Sequence, residues 1–140
     1  MLETHGGYIR GEIMQTLRGS SLMAMQVKKS KENIIVYLSG NMDNKSAHEL
    51  EMEFEDLLNA NSDKNLILNM KEVKYLSSAG LRTIVALRSA MHESGKSLRL
   101  CHLKRNVMEV FELTKVSQFF KIYEDEISAL SEQEDDEDED

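Results

Sequence analysis

Two adjacent serines, Ser77 and Ser78, are followed by Gly80. They stand between a short apolar run, Asn65-Leu66-Ile67-Leu68-Asn69-Met70, and a run in which Leu81, Ile84, Val85, Leu87 and Met91 recur at three- and four-residue intervals. A hydroxyl at that place can do two things. A serine at the start of a helix accepts hydrogen bonds from backbone N–H groups that have no partner within the helix, which makes Ser78 a candidate N-cap. The same N–H groups and the positive end of the helix dipole favour a phosphate, so Ser78 is also a candidate phosphoacceptor. Phosphorylation would add roughly two negative charges and three acceptor oxygens. The two roles are compatible.

The elements that must position these serines follow from periodicity. Residues 65–70 read as a strand covered on both faces, and the run from Leu81 to Met91 as a helix packed on one side, with Gly95 as its stop signal. Upstream, 22–27 and 34–38 suit two strands joined by the polar stretch 28–33. Ser46 to Leu58 suits a helix with Ala47, Leu50, Phe54, Leu57 and Leu58 on one face, while Glu49, Glu51, Glu53 and Glu55 form a solvated one. Downstream, 98–103 reads as a strand, Val107, Val110, Phe111 and Leu113 mark a helix, and Phe119, Phe120 and Ile122 mark a last short strand. Ile127 and Leu130 are expected to anchor a terminal helix. This alternation predicts an α/β fold, a mixed, largely parallel sheet of about four to five strands with helices packed against it. The loops that carry Asp43 and Ser78 both follow strands and are expected to share one sheet edge.

Two blocks resemble a known family. Tyr75-Leu76-Ser77-Ser78-Ala79-Gly80-Leu81-Arg82 resembles the signature loop of the STAS domain, the fold of bacterial anti-sigma factor antagonists, in which a D-S-(S/T)-G-L-type sequence carries a phosphorylatable serine at a helix start. Gly40-Asn41-Met42-Asp43, followed by Ser46-Ala47 and Leu50, resembles the family segment G-x-(L/I)-D-x-x-(T/S/N)-A-x-x-L. By position the resemblance assigns the phosphoacceptor to Ser78, with Ser77 as second choice. It also implies a partner-binding surface drawn from Asp43, Tyr75, Leu76, Ser77, Ala79, Gly80, Leu81 and Arg82. Ser77 stands where many members carry aspartate, and Ala79 where they carry a second serine or threonine. The implied function is partner switching. The unmodified domain binds an anti-sigma factor that is also a serine kinase, phosphorylation breaks the complex, and a serine phosphatase restores it. Related domains also serve as scaffold subunits of stress-sensing assemblies and as components of lipid transport systems.

Composition narrows the alternatives. The formal net charge is −8, and residues 132–140 alone hold eight acidic side chains and no basic one, so the remainder is neutral. A neutral domain lacks the basic face that nucleic acid requires. Cys101 is the only cysteine, which rules out an internal disulfide and a Cys-based zinc site and suits a small core residue. No stretch is long and apolar enough to predict a transmembrane segment, and a cytoplasmic location is expected. The nucleophile-elbow sequence G-x-S-x-G, the zinc motif H-E-x-x-H and the glycine-rich phosphate loop are absent, and none of His5, His48, His92 and His102 is tied to Ser78 by sequence. No catalytic residue, cofactor or metal is therefore expected.

Three segments result. Residues 1–21 form an N-terminal extension in which Ile9, Ile13 and Leu17 permit a short amphipathic helix, although Gly6, Gly7, Gly11 and Gly19 favour a loosely ordered one. Residues 22–131 form the domain, and 132–140 an acidic tail expected to be disordered and solubilising.

Overall fold

The computed structural model describes residues 12–16 and 23–131. In chain order the elements are β1 (Glu12–Thr16), β2 (Ala24–Lys29), β3 (Asn33–Met42), α1 (Asn44–Ala60), β4 (Asn65–Leu76), α2 (Ser78–Glu93), β5 (Leu98–Cys101), α3 (Arg105–Leu113), a 3₁₀ turn (Ser117–Phe119), β6 (Lys121–Tyr123) and α4 (Glu126–Ser131). The six strands form one sheet in sequence order; β1 and β2 run antiparallel to their neighbours, and β3 to β6 are parallel. Parallel strands laid down in one direction by right-handed crossovers place every crossover helix on the same face.

Side-chain alternation matches that geometry. Ile34, Val36 and Leu38 of β3, Leu66, Leu68 and Met70 of β4, and Leu98 and Leu100 of β5 point into one core with Leu50, Phe54, Ile84, Leu87, Val107 and Phe111 of the first three helices. Phe111 meets Phe120 edge-on, with ring centroids 5.3 Å apart. The intervening residues Ile35, Ile67 and Cys101 point to the opposite face, where Ala129 of α4 covers them. Both faces of β4 are thus packed, which is why Asn65 through Met70 reads as a continuous apolar run.

Three expectations change. Glu12–Thr16, within the segment read as a loose extension, adds an antiparallel edge strand, pairing Glu12 with Val27 and Thr16 with Ala24. The helical spacing of Ile9, Ile13 and Leu17 otherwise falls on residues outside those described, as does the acidic tail. Secondly, Ile127 and Leu130 do not anchor α4, since they are 78% and 37% exposed while Ala129 is buried. Polar contacts do the anchoring instead. The Glu126 carboxylate accepts hydrogen bonds from Tyr37 Oη and Asn69 Nδ2, each 2.9 Å, and buried Arg99 donates from Nη1 to the Ala129 carbonyl at 2.9 Å. Thirdly, β4 runs six residues beyond Met70, because its second half stays paired with the end of β3 through two register shifts. Gly40, with φ of +115°, sits at the second shift, where a side chain would be strained.

Candidate functional site

β3 and β4 end side by side, with Met42 opposite Leu76. The two loops that follow are joined directly, since the Ser77 N–H donates to the Met42 carbonyl at 2.9 Å. The Asp43 and Ser78 loops therefore share one sheet edge, as their positions after strands led one to expect.

Each loop starts a helix with its own cap. At α1, Asp43 is the N-cap. Its Oδ1 accepts from Ser46 N–H at 3.0 Å, while Ser46 Oγ accepts from Asp43 N–H at 2.9 Å and lies 2.9 Å from the Asn41 carbonyl, to which it can donate. This reciprocal pair is a capping box with serine in the third helical position. The Ser46 backbone and hydroxyl hydrogen bonds hold the Asp43 carboxyl below its usual range, so it is charged at neutral pH. Asp43 is thus engaged in ordering its own loop.

At α2 the cap is Ser77 and not Ser78. Ser77 Oγ accepts from Gly80 N–H at 3.0 Å, and its backbone is extended, with φ −86° and ψ 172°. Ser78 is one residue further on, the first residue of the helix, and its exposed hydroxyl makes no hydrogen bond among the described residues. The reading of Ser78 as the cap is corrected by one position, which leaves its oxygen available for modification. Ser77 also explains a departure from the family pattern, because serine and aspartate cap helices about equally well.

Gly80 fixes how closely α2 approaches β3. A Cβ built there would lie 2.8 Å from Met42 Cγ, 2.9 Å from Leu76 Cδ1 and 3.0 Å from the Met42 carbonyl oxygen. Only glycine lets the first turn of α2 lie against the carbonyl that receives Ser77 N–H. Leu76 and Leu81 are 4% and 7% exposed, so these two and Gly80 cannot present side chains to a partner. They set the position of the loop from beneath. Tyr75 at 50% exposure and the exposed Arg82 face outward with Ser78, while Ala79 and Ser77 are partly exposed.

One wall of the site was not read from sequence. Asn106 Nδ2 donates to the Lys74 carbonyl at 2.9 Å, which holds the start of α3, with exposed Lys104 and Arg105, beside the extended end of β4. An asparagine just inside a helix start is the signal, but its partner lies 32 residues away.

Comparison with known proteins agrees with this geometry. Residues 24–129 match the STAS domain family. The chain belongs to the STAS domain family. It is 20% identical over 110 residues to the anti-sigma F factor antagonist of Paenibacillus polymyxa, covering 79% of this chain and 94% of that one. It is 29% identical over 98 residues to the anti-sigma-B factor antagonist of Bacillus subtilis, covering 70% and 88%. Among solved structures, an anti-sigma factor antagonist from Mycobacterium paratuberculosis superposes with a TM-score of 0.71 at 21% identity, covering 78% of this chain and 92% of that one. The STAS chain departs from the family pattern at Ser77 and Ala79 without losing the cap or the helix start. No helix among the described residues is long and apolar enough to cross a membrane.

Proposed function

We propose that this chain is an anti-sigma factor antagonist, a binding module without catalytic activity of its own, switched by phosphorylation of Ser78. The observation that carries the reading is the division of labour between the two serines. Ser77 is engaged as the cap, whereas the Ser78 hydroxyl is exposed at the first turn of a sixteen-residue helix. The unmodified surface, made of Tyr75, Ser78, Arg82 and the outward face of α2, binds an anti-sigma factor that is also a serine kinase and so frees a sigma factor. Asp43, Leu76, Gly80 and Leu81 hold that surface in place. A serine phosphatase resets the cycle, which runs in the cytoplasm.

Phosphorylation reverses binding through local charge. In the free domain the helix N-terminus favours the phosphate. In the complex the same group must be desolvated beside the partner, and an uncompensated interfacial charge costs several kcal/mol. A shift of about 2.7 kcal/mol is roughly a hundredfold in affinity, enough to change partners. Arg82, four residues on and about one helical turn away, is placed to pair with the phosphate.

The test is intact-mass spectrometry of the protein recovered from its own cells, with peptide mapping across Lys74 to Arg82 and a Ser78→Ala control. Phosphate on Ser78 that vanishes in the variant supports the switch. Phosphate on Ser77 moves the site and keeps the mechanism, and none under any growth condition favours a scaffold or transport role.

A further inference from the structure

α1 and α2 end beside each other at the end of the domain away from Ser78, and a cleft of about 200 Å³ opens between their last turns. Leu58 and Met91, which pack on the core, give it an apolar floor. Three charged side chains line it, Glu55 from α1 and Lys64 and Lys96 from the loops that follow the two helices. Asp63 and Glu93 stand next to it in sequence and do not line it. The side chains of Glu55 and Lys96 make no hydrogen bond or ion pair with a described residue. Lys64 Nζ uses one hydrogen on the Lys31 carbonyl, at 2.9 Å, and an ammonium has two more to offer.

Asn61 supplies the observation that points to a ligand. It is 6% exposed, and its Nδ2 closes α1 by donating to the Leu57 carbonyl at 2.9 Å. Its Oδ1 accepts from no described residue and is not among the atoms sealed from solvent, so this acceptor opens into the cleft that Asn61 lines. A buried amide held at one end, with a free acceptor at the other, lacks a donor.

Each of these groups selects a chemical feature. The two lysines take a carboxylate through charge-assisted hydrogen bonds. Asn61 Oδ1 and Glu55 take an ammonium, which the negative ends of two helix dipoles also favour. Leu58 and Met91 take a short hydrocarbon. The volume equals about seven water molecules at roughly 30 Å³ each, and covalently joined atoms pack more closely, so about eight non-hydrogen atoms fit. We infer that the cleft between the C-terminal ends of α1 and α2 binds an aliphatic α-amino acid as its zwitterion, the carboxylate on Lys64 and Lys96 and the ammonium on Asn61 Oδ1 and Glu55. The same helices carry the Asp43 and Ser77 caps at their other ends, so the ligand leaves Ser78 uncovered. This inference does not depend on the anti-sigma reading.

The experiment titrates the isotope-enriched full chain with L-valine and with L-leucine while amide resonances are recorded. At least one of them should shift residues 55–64 and 90–97 saturably, with a Kd of about 1 mM or tighter. Isovalerate and isocaproate, which lack the ammonium, and isobutylamine and isoamylamine, which lack the carboxylate, should bind at least roughly tenfold more weakly, since each forfeits charge-assisted bonds. Glu55→Gln and Lys96→Gln should weaken the amino acid similarly, and Ala90→Leu should abolish binding by filling the cleft. None of these three positions is buried, so the fold should survive each change. No saturable shift with either amino acid, shifts centred away from the cleft, or undiminished binding by the variants overturns the inference. So does equal binding of the carboxylates, which would mean a site for anions alone.

Discussion

The two serines are adjacent and chemically identical, yet their positions predict opposite responses to substitution. Ser77→Ala removes the acceptor for Gly80 N–H, whose residue is buried, so that donor loses its partner. Loss of a serine cap costs about 1 kcal/mol, which for a domain of this size lowers the melting temperature by about 4 °C. Ser78→Ala removes an exposed hydroxyl that bonds to nothing among the described residues, and stability should stay within about 0.5 kcal/mol. Ser78→Asp places a carboxylate in the first turn, where the helix dipole stabilises it by about 0.3–1 kcal/mol at low ionic strength. The order of melting temperatures in low salt is therefore Ser78→Asp, then wild type and Ser78→Ala together, then Ser77→Ala. Added salt should shrink the gain of the aspartate variant and leave the loss of the alanine variant in place. The same aspartate should weaken partner binding, so stability and affinity move in opposite directions. Circular dichroism melts of the four proteins measure the order. If Ser78→Ala proved to be the destabilised variant and Ser77→Ala the silent one, the assignment of cap and acceptor would be reversed.

Two further perturbations probe the supports. Gly80→Ala forces a methyl group to within 3.0 Å of three Met42 and Leu76 atoms; overpacking of about 1–3 kcal/mol outweighs a helix-propensity gain of up to about 1 kcal/mol. Denaturant unfolding should show a net loss of about 1 kcal/mol, and a more stable variant would show that α2 can retreat freely. On the opposite face, burial, aided by Glu126 and Asp125, pushes the Cys101 thiol up to about 12 from an ordinary value of 9.0. The folded state thus binds this proton more tightly than the unfolded chain. The contribution is fully present below pH 9.0 and is lost as pH rises toward about 12. Native protein should resist alkylation at pH 8, while Glu126→Ala, which frees Tyr37 and Asn69 from α4, should speed the reaction; equal rates would mean that α4 does not guard the thiol.

The order of elements was legible because strands packed on both faces appear as short continuous apolar runs, in Ile34 to Leu38 and Leu66 to Met70, while the helix from Leu81 to Met91 shows a period of about 3.6. The helix start that carries the candidate site was legible through Ser77, Ser78 and Gly80, since local chemistry places hydroxyls and glycine there. Sequence could not decide which serine caps, because that turns on a one-residue difference in where the helix begins. The anchoring of α4 was hidden for another reason. Tyr37, Asn69 and Arg99 are polar positions within buried strands, and their bonds to α4 form only after the chain has returned across the second face. Ile127 and Leu130 looked like anchors because apolar residues on a short helix usually face inward; here Glu126 and Ala129 occupy the inward positions instead.

Serine in place of aspartate at position 77 separates two properties that a carboxylate would combine. An aspartate cap would bond to the helix start equally well, but its negative charge would lie next to whatever charge arrives at Ser78. Adjacent like charges oppose each other, so an aspartate there would offset part of the stabilisation that the helix terminus gives to a phosphate. With Ser77 the cap is neutral, and the field at Ser78 comes from the helix terminus and from Arg82, one turn further on. On the proposed mechanism, the phosphorylated free domain of this chain is accordingly more stable relative to its complex than it would be with the usual residue. A switch of the proposed kind would thereby be biased toward release by a residue that leaves the cap in place.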